Sequence, residues 1–142
     1  MMKKLFFGAF PFLMALLMVS CQDRTTEKVV SYYQNGQPMK VQYVNSKGMA
    51  VREVEYYEEG PVKMEGGMKN GKREGDWTAY FLDGKVQSTG VFKDGLRTGK
   101  ATVYHENGQL YMEGMYKEGR HTGTWTYYDE QGYPIRTDDY GE

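Results

Sequence analysis

The sequence is short of the residues that usually staple a small domain or perform its chemistry. It has one cysteine, so no disulfide can form within the chain. Its two histidines, His105 and His121, share no spacing with cysteines or carboxylates that is typical of a metal site. No serine lies in a nucleophile elbow, and no glycine-rich segment opens a helix as a phosphate cradle. These absences predict a protein that is not an enzyme and that uses neither a metal nor another cofactor.

Large apolar residues are also scarce beyond the first twenty positions. Of the 6 phenylalanines only Phe81 and Phe92 remain there, whereas all 13 tyrosines do. Without Lys3 and Lys4 the chain holds 16 basic residues (18 − 2) against 19 acidic ones, a net charge of −3. This balance argues against nucleic acid as the main partner. The core is thin, so we expect an extended fold or one that needs a partner surface.

The first twenty residues have the organisation of a secretory signal peptide, with a basic start, a short apolar run and Ser20 before Cys21. The segment "MVSC" resembles the lipobox of bacterial lipoproteins, although Met18 stands where that family usually has leucine. The resemblance implies a lipid-anchored protein of the bacterial cell envelope, with the lipid on Cys21. The residues leave open an ordinary secreted protein with one free thiol. We expect a signal peptide over 1–20, a lipidated cysteine with a polar tether over 21–31, and one repeat domain over 32–142.

A 24-residue period runs through this last region. Each unit begins with a tyrosine that is followed four residues later by a glycine, and three further glycine columns hold in the middle units. A fixed period of this length is typical of a repeat architecture. The first and last units depart from the pattern, as capping repeats do. The units begin at Tyr32, Tyr56, Tyr80, Tyr104 and Tyr128.

Turn dipeptides divide each unit into two short strands. Asn35-Gly36, Asp83-Gly84 and Asn107-Gly108 suit type I′ two-residue turns, and the flanking stretches alternate in polarity as strands do. A six-residue loop, 69–74 in the second unit, joins the next pair of strands. The sequence therefore predicts an all-β fold, an elongated single-layer antiparallel β-meander built from 24-residue β-hairpin repeats.

The two connections define a register that places glycines beside tryptophan. Partners around the two-residue turn sum to 167 and those around the six-residue loop sum to 143, so Gly90 and Gly66 both lie opposite Trp77. In the same way Gly114 lies beside Trp125. A large ring over bare backbone offsets the cost of glycine in a strand. We expect Trp77 to cover the glycines on both of its neighbouring strands.

The two-residue strand period separates an apolar face from a wet face. Tryptophans lie on the first, and the first-column tyrosines form a row on the second, where Tyr104 is predicted to pair with Tyr111. A single-layer sheet buries an apolar face by curling into a trough, by dimerising or by binding a partner. Both faces are candidate binding surfaces, with residues Tyr56, Tyr80, Tyr104, Tyr128, Trp77, Phe92 and Trp125.

The connections also separate charge, because the six-residue loops are basic and the two-residue turns are acidic. A basic edge close to a membrane would meet anionic headgroups or an acidic partner. The simpler interpretation is that loops are polar because water surrounds them. The candidate basic edge comprises Lys69, Lys72, Arg73, Lys93, Arg97, Lys117 and Arg120.

The unit "YYEEGPVKMEGGMKNGKREGDW" resembles the bacterial variant of the MORN repeat, whose pattern joins Y-x-x-x-G to E-G-x-aromatic-K and then to G-x-x-x-G-x-W. The third unit departs from it, with Thr89 in place of glutamate and Ala101 in place of tryptophan. The resemblance implies a β-hairpin array with a scaffold or binding role, and it carries no catalytic residues.

We therefore predict a membrane-anchored, non-catalytic module that binds an unidentified protein partner. Because a related bacterial group is antitoxin-like, the alternative is an immunity or antitoxin-like protein that neutralises a toxin. A homodimer through the apolar face also remains open.

Overall fold

The computed structural model describes residues 24–142, and all of its regular elements are β-strands. They form one ten-stranded antiparallel sheet in which each strand pairs with its neighbours in sequence, and β1 and β10 are the open edges. The predicted all-β single-layer meander is confirmed. The bounds are β1 Thr26–Tyr32, β2 Pro38–Val44, β3 Ala50–Tyr56, β4 Val62–Lys69, β5 Lys72–Tyr80, β6 Val86–Lys93, β7 Leu96–Tyr104, β8 Leu110–Lys117, β9 Arg120–Tyr128 and β10 Pro134–Asp139.

The sheet begins earlier than the sequence predicts. β1 starts at Thr26, inside the predicted polar tether, and pairs with β2 through Val29 and Val41. The polar composition of the segment hid this strand, whose only apolar pair is Val29-Val30. The predicted signal peptide and the lipid site at Cys21 lie outside the described residues.

The turns at one edge of the sheet are not the predicted type I′ turns. After β5, the Phe81 amide donates to the Lys85 oxygen at 2.8 Å and the Gly84 amide donates to the Phe81 oxygen at 2.9 Å. Gly84 has a φ of 85°, while Asp83 is outside the positive-φ region. This is a type I turn completed by a left-handed glycine and a bulge.

The same correction applies to Asn35-Gly36 and Asn107-Gly108, and its reason is the side chain before the glycine. The carboxylate of Asp83 accepts a hydrogen bond from the Lys85 amide at 3.0 Å, and the side-chain oxygens of Asn35 and Asn107 accept equivalent bonds at 2.9 Å. Such a bond stabilises a type I turn. Asn or Asp followed by Gly therefore suits both the type I′ turn and the type I turn with a left-handed glycine, and here the side-chain hydrogen bonds favour the type I turn.

Type I′ turns occur instead at the opposite edge, inside the predicted six-residue loops. Asn70, Asp94 and Glu118 have φ values of 51°, 50° and 51°, and each precedes a glycine with positive φ. Lys69 pairs directly with Lys72, so this connection has two residues rather than six. A bulge follows each turn and restores the strand register.

The predicted register therefore holds in the middle of the strands, although the turn types are exchanged. Trp77 lies opposite both Gly66 and Gly90, and Ala101 lies opposite Gly114. The observed turns differ in length from the predicted ones, but each bulge compensates for the difference. Beyond the bulges, the residue numbers of paired positions again add up to 167 and 143, as predicted.

Next to a turn the bulge does change the neighbours. Tyr104 pairs with Leu110, not with Tyr111 as predicted. The extra residue, Tyr111, packs edge-to-face against His105 at 4.9 Å and against Tyr127 at 6.2 Å between ring centroids. The predicted Tyr104–Tyr111 pair is therefore wrong.

Indole rings cover two of the strand glycines. A methyl group added to Gly66 would overlap the ring of Trp77, and one added to Gly114 would overlap the ring of Trp125. Trp77 is 3% exposed and Trp125 is 1% exposed, although no second layer of the described chain lies over this face. The close approach to bare backbone is what lets a single-layer sheet bury these rings.

Gly90 is the exception, and the expectation that Trp77 covers both neighbouring glycines is wrong on this side. The nearest atom to a methyl group at Gly90 would be Nη1 of Arg97, at 3.3 Å. Each ring covers the glycine eleven positions before it, and the residue eleven positions after Gly90 is Ala101. No indole ring therefore covers Gly90, and the side chain of Arg97 lies over it instead.

The buried apolar residues change sides near the N-terminal end of the sheet. We call the side with Trp77 the Trp face and the side with Tyr80 the Tyr face. Val41 and Val54 are paired in the same transverse row as Glu65, which belongs to the Tyr face. Both valines are 1% exposed. The strands β2 and β3 thus bury valines on the Tyr face, and the later strands bury rings on the Trp face.

Adding a methyl group at two glycines tests this packing. We expect Gly114→Ala to lower the free energy of unfolding by about 1–3 kcal/mol, because the methyl group displaces the indole of Trp125. Gly90→Ala is the matched control and is expected to be neutral or stabilising, since only the end of a flexible arginine must shift. Urea unfolding followed by tryptophan fluorescence measures both, and equal effects would contradict the assignment.

Restoring the missing ring gives a second test. We expect Ala101→Trp to raise the free energy of unfolding by about 0.5–2 kcal/mol, because the new indole covers Gly90 and fills space held only by a side-chain end. The same urea titration measures it. A less stable variant would show that Arg97 and its neighbours already fill this site.

Candidate functional site

Side chains of the Trp face form a ladder of alternating cationic groups and aromatic rings. The 24-residue period puts one cationic or imidazole side chain near the start of each odd strand from β5 to β9. An aromatic column lies on β6, on β8 and just after β10. Residues four apart on a strand share a face, so the tryptophans belong to the same ladder. Its members are Arg73, Trp77, Phe92, Arg97, Tyr116, His121, Trp125 and Tyr140.

Each arginine of the ladder lies between rings. The guanidinium carbon of Arg73 is 4.1 Å from the ring centroid of Trp77 and 5.6 Å from that of Phe92. The guanidinium carbon of Arg97 is 5.3 Å from the rings of both Phe92 and Tyr116. These distances are within the range of cation–π attraction. Stacking holds both charged groups on the sheet surface.

His121 occupies the third position of the arginine column. Its ring lies 4.1 Å from that of Trp125, 4.9 Å from that of Tyr116 and 4.8 Å from that of Tyr140. Its Nε2 atom is 3.0 Å from the Tyr116 hydroxyl. The imidazole thus replaces a guanidinium in an aromatic surround, and it joins β8, β9 and the segment after β10.

The structure brings together some of the predicted site residues and separates others. Trp77, Phe92 and Trp125 lie on one face as predicted, but all three are buried, and arginine and tyrosine side chains form the accessible surface above them. Arg73 and Arg97 are not edge residues, because stacking draws them onto the Trp face. The other five predicted basic residues lie at the turns, namely Lys69, Lys72, Lys93, Lys117 and Arg120.

The N-terminal part of the Trp face is polar. Glu53 is buried. Its carboxylate accepts a hydrogen bond from the side-chain amide of Gln42 at 2.7 Å and forms an ion pair with Lys40 at 3.2 Å. Burial opposes the charge of Lys40, but hydrogen bonds to Glu55 and Glu53 outweigh it and raise the pKa of Lys40. Glu55 also pairs with Arg73 at 3.4 Å. The cluster therefore connects directly to the ladder.

The Tyr face carries the same three-residue network twice, 48 residues apart. The Tyr80 hydroxyl donates to Glu65 at 2.9 Å, and Glu65 also pairs with Arg52. The hydrogen bond from Arg52, with that from Tyr80, holds the pKa of Glu65 below its usual value, while burial and Glu65 raise the pKa of Tyr80.

Tyr128, Glu113 and Lys100 repeat this arrangement, with a hydroxyl–carboxylate distance of 2.9 Å and an ion pair at 2.8 Å. The hydrogen bond from Lys100, with that from Tyr128, lowers the pKa of Glu113. Tyr104 lacks such a network because Thr89 stands in place of the glutamate, and the Thr89 hydroxyl meets that of Thr102 at 2.6 Å.

Two members of the predicted tyrosine row, Tyr80 and Tyr128, thus belong to hydrogen-bonded networks. The sequence interpretation did not predict that Arg52, Glu65, Lys100 and Glu113 form networks with these tyrosines. The signal was the 48-residue spacing of two identical carboxylate–tyrosine pairs. The networks satisfy their own polar groups, which favours sheet stabilisation as their role.

No candidate metal site is assembled in the part of the chain that the structure describes. Residues 24–142 contain no cluster of three or more histidine, cysteine, aspartate or glutamate side chains able to hold a metal ion. They also contain no helix with the length and apolar character needed to cross a bilayer. What the site offers is an ordered surface of rings and cations.

Comparison with known proteins identifies the repeats. None of the curated proteins compared matches the chain. Among solved structures, the chain is similar to one described as "Crystal structure of GtfA/B complex bound to UDP and GlcNAc", with 14% identity over 75% of this chain and 21% of that chain. The TM-score is 0.31, too low to support any conclusion.

The family model described as "MORN repeat variant" matches residues 73–94 and 97–118, which run from β5 to the turn after β8. These segments contain the Arg73–Trp77 stack, Phe92, Arg97 and Tyr116, and so most of the ladder. Residues 73–118 of this chain therefore comprise two adjacent MORN-variant repeats.

Proposed function

We propose that the chain is a membrane-anchored, non-catalytic module that binds a protein partner through the Trp face. The observation that carries the proposal is the ladder itself, which lies on a face with no second layer of the described chain above it. Arginine and aromatic side chains are enriched among the residues that dominate binding energy in protein interfaces.

Order in the free protein adds to this argument. Binding usually costs about 0.5–1.5 kcal/mol for each flexible side chain that becomes fixed. Arg73 and Arg97 are already held between rings at 4.1–5.6 Å. A partner that binds this surface would therefore lose less entropy than one that binds free lysines at the turns.

Anchoring is the second part of the proposal. A lipid on Cys21 would be separated from β1 by four residues, 22–25, so Cys21 and Thr26 would be at most about 18 Å apart when this segment is extended. The edge strand β1 would then lie close to the bilayer surface. Such an anchor would present the sheet to partners at the membrane.

A matched pair of tyrosines tests which face binds. Tyr111 is 39% exposed on the Trp face, and Tyr104 is half-buried on the Tyr face of the same hairpin. We expect Tyr111→Glu to abolish crosslinking of the partner in solubilised membranes, and Tyr104→Glu to retain it. The measurement is mass spectrometry of crosslinked complexes from cells expressing each variant at equal levels.

Loss of the partner with Tyr104→Glu alone would move the binding site to the Tyr face. If the partner is a toxin encoded beside this chain, the module is an immunity protein, the alternative that the family resemblance implies.

Replacing the cysteine tests the anchor separately. We expect Cys21→Ser to move the protein from the membrane fraction to the soluble fraction, because the lipid cannot be attached. Metabolic labelling with a clickable fatty acid should label the wild type and not the variant. An unlabelled wild type would show that the cysteine carries a free thiol.

A further inference from the structure

Two equivalent arginines of the ladder have different surroundings. Arg73 stacks on Trp77 and pairs with Glu55 at 3.4 Å. Twenty-four residues later the arginine is Arg97, and the positions equivalent to Trp77 and Glu55 hold Ala101 and Ala79. The third unit therefore lacks both the ring and the carboxylate that hold the first arginine.

The guanidinium of Arg97 is ordered but not neutralised. It is sandwiched between two rings at 5.3 Å, with Gly90 beneath it. Among residues 24–142, its side chain has neither an ion pair nor a hydrogen bond. No side-chain nitrogen in this part of the chain is both buried and without a hydrogen-bond partner. The guanidinium nitrogens of Arg97, which have no such partner, are therefore accessible to solvent. A guanidinium is a fork of donors suited to a carboxylate.

The neighbouring edge adds positive charge. A cleft of about 380 Å³ at this edge is lined by Arg97, Leu96, Thr98, Lys93 and Lys117, together with Asp94 and Glu118. Lys93 and Lys117 lie in the transverse rows next to those of Phe92 and Tyr116, so they project on the Tyr-face side of the edge. Neither lysine forms an ion pair with another described residue. Arg97 and the two lysines together outnumber the two carboxylates around this edge, so the edge attracts an acidic ligand.

We propose that Arg97 receives a carboxylate from an acidic segment of a partner protein. The partner would supply at Arg97 what Glu55 supplies at Arg73. Where the same segment passes over the edge of the sheet, its further acidic residues would meet Lys93 and Lys117. This inference rests on the proposed protein-binding function and names the chemistry of the partner. The internal Arg73–Glu55 pair is the precedent for one carboxylate meeting an arginine that is stacked between rings.

The test measures binding of a fluorescein-labelled decapeptide of alternating Glu and Ser by fluorescence anisotropy at low salt, with a Gln–Ser peptide as the uncharged control. The wild type should prefer the Glu peptide. Arg97→Gln should weaken its binding by about tenfold or more, as expected for loss of a charge-assisted hydrogen bond. Lys69→Gln is the control, and removes one positive charge at the same edge with an effect of about twofold or less.

Ala79→Glu tests the same idea while keeping the arginine. The new carboxylate lies where Glu55 lies in the preceding unit, so it should pair with Arg97 and weaken peptide binding by a similar factor. Thermal unfolding of each variant confirms that it is folded. Because the two variants change different strands, a folding defect in one leaves the other decisive.

Several results would overturn the inference. These are no preference of the wild type for the Glu peptide, equal weakening by Lys69→Gln and Arg97→Gln, or unchanged binding in Ala79→Glu. Arg97-dependent binding to phosphatidylserine vesicles without peptide binding would assign the site to a lipid headgroup. Arg97-dependent dimerisation without peptide binding would assign it to a second copy. If Tyr111→Glu loses the crosslinked partner while both Arg97-directed variants keep it, the proposed function stands and this inference fails.

Discussion

Packing of an indole ring on the bare backbone of a neighbouring strand is the interaction on which the Trp face depends. A single-layer sheet has no opposing layer to cover its apolar side chains. Gly66 and Gly114 remove the side chains that would keep Trp77 and Trp125 away from the sheet, so the rings lie flat and become buried. The flat rings in turn provide the surfaces on which Arg73 and His121 stack.

Where a unit lacks one member of this pair, a neighbouring group takes its place. In the N-terminal unit the equivalent positions are Gln42 and Glu53, which hydrogen bond to each other at 2.7 Å in place of a glycine–ring contact. In the third unit Ala101 replaces the ring, and Arg97 covers Gly90. The repeat thus keeps its backbone register while its surface chemistry changes from unit to unit. That variation distinguishes one position along the ladder from another and makes selective binding physically reasonable.

Much of the fold could be predicted from the sequence, because two separate patterns repeat with the 24-residue period. The glycine columns and the alternating polarity predicted the strands, and the register survived even though the turn types were assigned to the wrong edges. The bulges beside the turns restored the predicted register. The turn types differ from the prediction because side chains such as Asp83 accept a hydrogen bond from the backbone two residues later, at Lys85, which favours a type I turn. The site was less accessible. The three apolar ring residues were placed together correctly, but Arg73 was assigned to a loop edge although it shares a strand face with Trp77.

By itself, the sequence determined the order of the hairpins after β1, the register that sets glycine opposite tryptophan, and the departures of the third unit, since each follows from a 24-residue period and a two-residue strand alternation. Only the tertiary structure decided which glycine each ring covers, on which face the valines are buried, and where the arginine side chains lie. Those outcomes depend on bulges, twist and the competition of long side chains for the same rings, which involve residues far apart in sequence. A period specifies which residues become neighbours, and packing in three dimensions decides which of those neighbours make contact.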